Sequence, residues 1–281
     1  INTEQASITY EGDLLKTMAL TKLGTNSLTL AGINTFTGAL LVNGGELVMN
    51  GSGNHKIGSV TIGNAALLLT NAAPMYVSVT NNNASVGNAA AEFGRLTVAG
   101  NAVWSSYLAP DNVAGPILYV GNSGRAVLTL QDNAVISNRL IVGNATGSHG
   151  AVYQRDNSFV HNWCGRSSDS SIGEGGYGYY ELSSGTLTNN GHFRLGRNLS
   201  SIGILSQSGG KMQHGVPFQG DFQVSRGGTG VVYLAGGTFA ASANVVLGYI
   251  SDNSGANGYA TFTMAGSADA YAAGNITVTD R

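Results

Sequence analysis

This chain has little charge and few cysteines or prolines. Charged residues make up 10% of the 281, against roughly 25% in an ordinary soluble domain. The formal net charge is −2, so neither nucleic acid nor an acidic membrane surface is expected as a partner. The single cysteine, Cys164, excludes an intrachain disulfide, and a chain of this length needs no such staple. Apolar runs are short. AALLL at 65–69 is far below what crosses a bilayer, so no membrane insertion is expected. No stretch keeps a 3.6-residue apolar period, which argues against amphipathic helices. No charged-then-apolar segment opens the chain at Ile1, and any export signal is expected to be gone already.

What the chain does have is glycine, 42 residues of it, about twice the usual share. Asn, Thr, Ser and Val are also plentiful and favour strands and turns. One short word keeps returning: VGN at 120–122 and 142–144, IGE at 172–174, LGR at 195–197, VSR at 224–226 and LGY at 247–249. The intervals are 22, 30, 23, 29 and 23 residues, with Val278 next after 31, while IGN (62–64) and VGN (86–88) extend the word upstream. Each word is followed by an alternating segment, a small turn and a second short strand, as in VLTLQDN–AVIS and VYLAGG–TFAA. Such periods mark a solenoid, because one coil cannot bury its own apolar face.

Stacking the coils yields three expected walls. Val120, Val142, Ile172, Leu195, Val224, Leu247 and Val278 form the first. Leu128, Val152, Tyr180, Leu205, Val232 and Phe262 form the second, with Gln154 and Gln207 replacing Leu two residues further on. The third is Val135, Phe159, Leu187, Met212 and Phe239, with Asn138, Asn162 and Asn190 at the following corner. The fold class predicted is all-β: a single right-handed parallel β-helix of about ten coils, three short strands per coil. Residues 1–60 would be its first turns and 61–281 one continuous helix.

The segment LTKLGTNSLTLAGINTFTGALLVNGGELVMNG, residues 20–51, adds something more specific. It resembles the autotransporter-associated β-strand repeat, through Leu20–Lys22 with Gly24, Leu28–Leu30 with Gly32, Asn34-Thr35, Phe36, Thr37-Gly38, Val42-Asn43, Gly45 and Leu47. The resemblance implies a passenger, a β-helical stalk exported to or beyond the surface of a Gram-negative-type cell. No translocating barrel can be read in the chain, so attachment to an outer membrane is not expected from these residues.

Candidate chemistry is sparse. GEGGYG at 173–178 matches G-x-G-x-x-G, but it lies between two strands and not ahead of a helix, so it is predicted to be a turn. Tandem GGxGxD repeats for calcium are absent. The outward positions of the first strand (Tyr119, Ile141, Ser171, Arg194, Gln223, Val246, Thr277) make no flat threonine array. The acids are scattered, which argues against the paired carboxylates of a polysaccharide hydrolase or the clustered ones of a lyase. No catalytic, cofactor-binding or metal-ligating set is therefore expected. The notable feature is one edge where alternate coils insert HNWCGRSSD (161–169) and HGVPFQGD (214–221), with NNGH (189–192) between. It gathers His161, Trp163, Arg166, His192, His214, Phe218 and Asp221, and long loops on one side of a solenoid are commonly its binding side. The insertions at 111–116 and 249–258 are further candidates. The expected partners are extracellular glycans or the chain itself, since NITVTDR leaves an open strand edge to which another copy could add end to end.

Overall fold

The computed structural model describes residues 1–79, 83–106, 116–163, 169–215, 220–248 and 258–278. Its strands join into one 28-stranded sheet system, in which every pairing is parallel, from Ile8↔Leu28 to Leu247↔Val278. Each coil carries a first strand such as Ile117–Val120 and a second such as Arg125–Leu130. The third strand of one coil can run straight into the first strand of the next, as in Val135–Val142. The described residues contain no helix.

Two of the expected walls stand over most of their length; at the upper end of the first, Leu247 is only half-buried and Val278 is exposed. Val42, Ile62, Val86, Val120, Val142, Ile172, Leu195 and Val224 stack in register and are buried. So do Leu28, Leu47, Leu67, Leu96, Leu128, Val152, Tyr180, Leu205 and Val232. Ile8 below and Phe262 above extend the second column to eleven layers. Ten steps of ~4.8 Å give a stack about 48 Å long. Each fully buried Leu or Val contributes about 1.5–3 kcal/mol relative to exposure, which no isolated coil could collect.

The third wall needs correcting by one residue. Val135 pairs with Phe159, and Phe159 with Thr186, so the inward column is Ile136, Val160, Leu187, Met212 and Phe239. Val135 and Phe159 point outward and are half-buried. The cause is turn length. From Leu130 to Ile136 is six steps, as from Gln154 to Val160, whereas Leu182 to Leu187 is five. In the longer turns Asp132 and Asp156 hold φ of 60° and 57°, the left-handed region that Asp tolerates better than most residues. The corner column shifts accordingly to Asn138, Asn162, Asn189 and His214, so Asn189 and not Asn190 continues it.

The repeat at 20–51 now has physical reasons. Lys22 stands at the foot of the Val42–Ile62 column, pairs with Val42, and is fully buried. Its ammonium donates to the carbonyls of Leu23 (3.0 Å), Gly24 (2.9 Å) and Gly44 (2.8 Å). All three of its N–H donors are used. Gly24 has φ of +83°, and a Cβ there would lie 2.5 Å from the Glu4 nitrogen of the coil below, so only glycine fits. Leu20, Leu28, Leu30, Phe36, Val42 and Leu47 all face the core.

Candidate functional site

The inserted edge separates into an inner and an outer part. His161 and His214 do not share a face. His161 pairs with Thr188 and points outward, where its ring meets Trp163 edge-on at 5.1 Å. Partial burial lowers its pKa. Asn162, one residue on, faces in: its Oδ1 accepts from the Leu140 nitrogen (2.9 Å) and from the Ser170 hydroxyl (2.7 Å). His214 lies in that inward column and is buried. Its Nδ1 accepts from Asn189 Nδ2 (3.2 Å), so Nε2 carries the proton and donates to the Gly220 carbonyl (2.6 Å). Phe222 packs against it at 5.5 Å. Burial above all brings its pKa down to about 4, opposed by the Gly220 bond, with smaller effects of His192 (lowering) and Asp221 (raising). This histidine is a structural cap for a corner carbonyl.

His192 and Asp221 do meet. The Asp221 nitrogen donates to His192 Nδ1 (3.0 Å), the Phe193 nitrogen donates to the Asp221 carbonyl (3.1 Å), and Asn244 Nδ2 donates to Asp221 Oδ1 (3.1 Å). The edge is thus tied layer to layer by these residues. Arg166, Phe218 and Cys164 lie outside the described residues, as do 111–115 and 249–257. Among the described residues no three metal-ligating side chains converge. The first four residues of GEGGYG, 173–176, form the turn between Asp169–Ile172 and Tyr177–Leu182, and a Cβ on Gly173 would lie 2.2 Å from the Ile202 carbonyl oxygen.

The first-strand exterior differs from its expected appearance. Ile141, Ser171, Arg194 and Gln223 point away from the lumen yet are 4%, 1%, 8% and 2% exposed. A charged network lies among them. Asp169 Oδ2 takes Arg194 and Arg197, the latter at 3.2 Å, while Glu174 takes Arg197 and the Ser171 hydroxyl. Arg194 Nε also donates to Gln223 Oε1 (2.9 Å). Two acids that appeared isolated in sequence are therefore ion-paired between adjacent coils. The signal was present in the alignment of DSSIGE with HFRLGR, where Glu174 and Arg197 each stand two residues after the column residue.

The parallel ladder and the repeat at its foot define a passenger-like β-solenoid. Residues 20–49 match the family described as Passenger-associated-transport-repeat. Over 273 residues the chain is 27% identical to the Adhesin BmaC autotransporter of Brucella suis biovar 1 (strain 1330). That alignment covers 88% of this chain and 8% of the relative, so the chain spans a small part of the length of the protein it matches. No solved structure matches.

Proposed function

We propose that this chain is a stalk segment of an exported passenger, a stiff β-helical spacer at or beyond the surface of a Gram-negative-type bacterium. The observation that carries the reading is the run of parallel pairings from Ile8 to Val278, shifted in register only at Phe36/Ala39 and Gly100/Ala102 among the described residues, which gives length and stiffness. Small-angle X-ray scattering on the purified chain tests it. An elongated, monodisperse particle with a cross-section constant along its axis is expected; a compact globule or an expanded coil would refute the spacer.

A second role, adhesion, is supported by the name of the relative, an adhesin. In this reading the corner loops, with Trp163 and Phe218, contact glycans on the opposing surface. Substituting both by alanine should abolish retention on a glycan array while leaving circular dichroism unchanged. Unaltered retention would remove the loops from the contact surface.

A further inference from the structure

We propose that the outer face of the second-strand sheet, between Phe93 and Glu181, binds an anionic polysaccharide. The inference rests on the adhesive reading above and moves its contact surface from the corner loops to the flat side of the stack. Four consecutive coils build the face, a span of about 14 Å. Phe93, Arg125, His149 and Tyr177 stand in one outward column. Arg95 and Tyr179 belong to the next, separated by the smaller Val127 and Ala151. Tyr153 and Glu181 belong to the third, which starts with two threonines.

Rings and guanidinium groups are interleaved on this face. The Arg95 guanidinium lies 4.2 Å from the Phe93 ring centre, and that of Arg125 lies 5.7 Å from the same ring. Tyr153 and Tyr179 stand 6.0 Å apart, with Arg155 over Tyr153 at 5.7 Å. His149 and Tyr177 pair at 5.8 Å. Arg95, Arg125, His149 and Arg155 are exposed, and the rings beside them half-buried. Half-buried rings held by their neighbours offer apolar faces and polar tips at small entropic cost. The C–H faces of sugar rings match such surfaces, and a planar guanidinium fork matches sulfate or carboxylate.

Charge selects the class of ligand. Among the described residues no carboxylate pairs with Arg95, Arg125 or Arg155. The face has one acid, Glu181, which accepts from the Tyr179 hydroxyl (3.1 Å). The acids at its borders are engaged by backbone: Asp132 accepts from the Gly100 nitrogen (2.8 Å), Asp156 from the Asp132 nitrogen (3.0 Å), and Glu92 from the Ala89 nitrogen (2.8 Å). On the face itself three guanidinium groups, Arg95, Arg125 and Arg155, stand beside aromatic rings against one carboxylate, Glu181, while the bordering carboxylates keep their charge and are tied to the edges by those backbone bonds. The surface is flat and continues along the stack, so it suits an extended polymer over a compact ligand.

The test is affinity measurement on the whole chain with heparin (sulfated), polygalacturonate (carboxylated) and dextran (neutral). Binding to at least one polyanion and none to dextran is expected. The triple variant Arg95→Gln, Arg125→Gln, Arg155→Gln should lose at least tenfold in affinity and show a shallower salt dependence. Tyr153→Ala with Tyr179→Ala should weaken binding several-fold at unchanged salt dependence. All these side chains are on the exterior, so each variant should keep its fold, which circular dichroism checks. A triple variant with wild-type affinity, or equal binding of dextran, overturns the inference. Loss of glycan-array retention in the Trp163 variant but not in the face variants overturns this surface alone, whereas no glycan binding by the wild type overturns adhesion as well.

Discussion

Acid should weaken this fold through its buried histidines, and most through His214; His55 is also buried, and burial lowers its pKa in the same direction. His214 has a folded pKa of about 4, against 6.5 when unfolded. Above pH 6.5 the ring is neutral in both states and its contribution is constant. Between 6.5 and 4 the unfolded chain binds a proton that the folded chain does not, so stability falls as pH falls; below 4 both are protonated and the effect levels off. A difference of 2.5 units corresponds to about 3 kcal/mol. The structural cause is specific: a proton on Nδ1 would displace the Asn189 donor and bring a charge next to Phe222. Urea denaturation of the wild type and His214→Gln at pH 7, 5.5 and 4 measures it, where fluorescence and circular dichroism give coincident transitions. Glutamine can still accept from Asn189 and donate to Gly220, but does not titrate. The variant should therefore lose about 3 kcal/mol less on acidification than the wild type. Equal pH dependence of the two proteins, or a His214 Cε1 proton that titrates near 6.5 in the folded state, would refute the assignment.

Two further substitutions probe the interior. Lys22→Met keeps the stem but leaves the carbonyls of Gly24 and Gly44 without their donor, while that of Leu23 keeps the Thr3 nitrogen and hydroxyl. With each orphaned acceptor costing about 1–3 kcal/mol, partly offset by removal of a buried charge, a net loss of about 2–4 kcal/mol is expected in urea denaturation. Tyr180→Phe removes the 2.6 Å bond from the phenol to Gln154 Oε1, both groups being buried. Stability should drop by about 1–3 kcal/mol, whereas Leu205→Met in the same column, which strands no polar atom, should cost less.

The first two walls were legible because an aliphatic residue at every second position leaves no choice of face once the coils are aligned. The third wall was not, since its alignment passes through a turn whose length varies. Asp132 and Asp156 adopt a left-handed conformation within a turn one residue longer than the one ending in Gly185 or Gly210. A slip of one residue sends every following side chain to the opposite face, and the candidate edge suffered directly. His161 and His214 looked equivalent beside their loops, yet one sits outside with Trp163 and the other inside with Phe222. The Arg194–Asp169 and Arg197–Glu174 contacts were missed for another reason. Ion pairs between coils 23 residues apart look like scattered charge until the register is known.

The polar residues inside the solenoid share a position, and it explains why they are there. Strand ladders pair the backbone along each side, but the chain must turn between sides; carbonyls at those corners either lack a backbone donor or, like Ser158 and Gly210, accept one and have a second lone pair to fill. Lys22 caps the corner after a first strand. Gln154 donates to Ser158 and Thr186 (3.0 and 2.9 Å) after a second strand, and Gln207 does the same for Gly210 and Thr238 (3.3 and 3.0 Å). Asn189 donates to Gly191 (2.7 Å), and His214 donates to Gly220, after a third. Gln154 and Gln207 each reach a carbonyl of their own coil and one of the next, so each cap also ties adjacent layers. Interior polarity is thereby concentrated at the corners, and the lumen sides remain apolar apart from the Tyr180 phenol, which itself donates to Gln154. Recognition chemistry is then left to the exterior of the second strands, where alternate residues are free to vary without disturbing the stack, unlike the buried exterior of the first strands. Among the described residues, it is the second-strand sheet that sets guanidinium groups and aromatic rings side by side on that exterior.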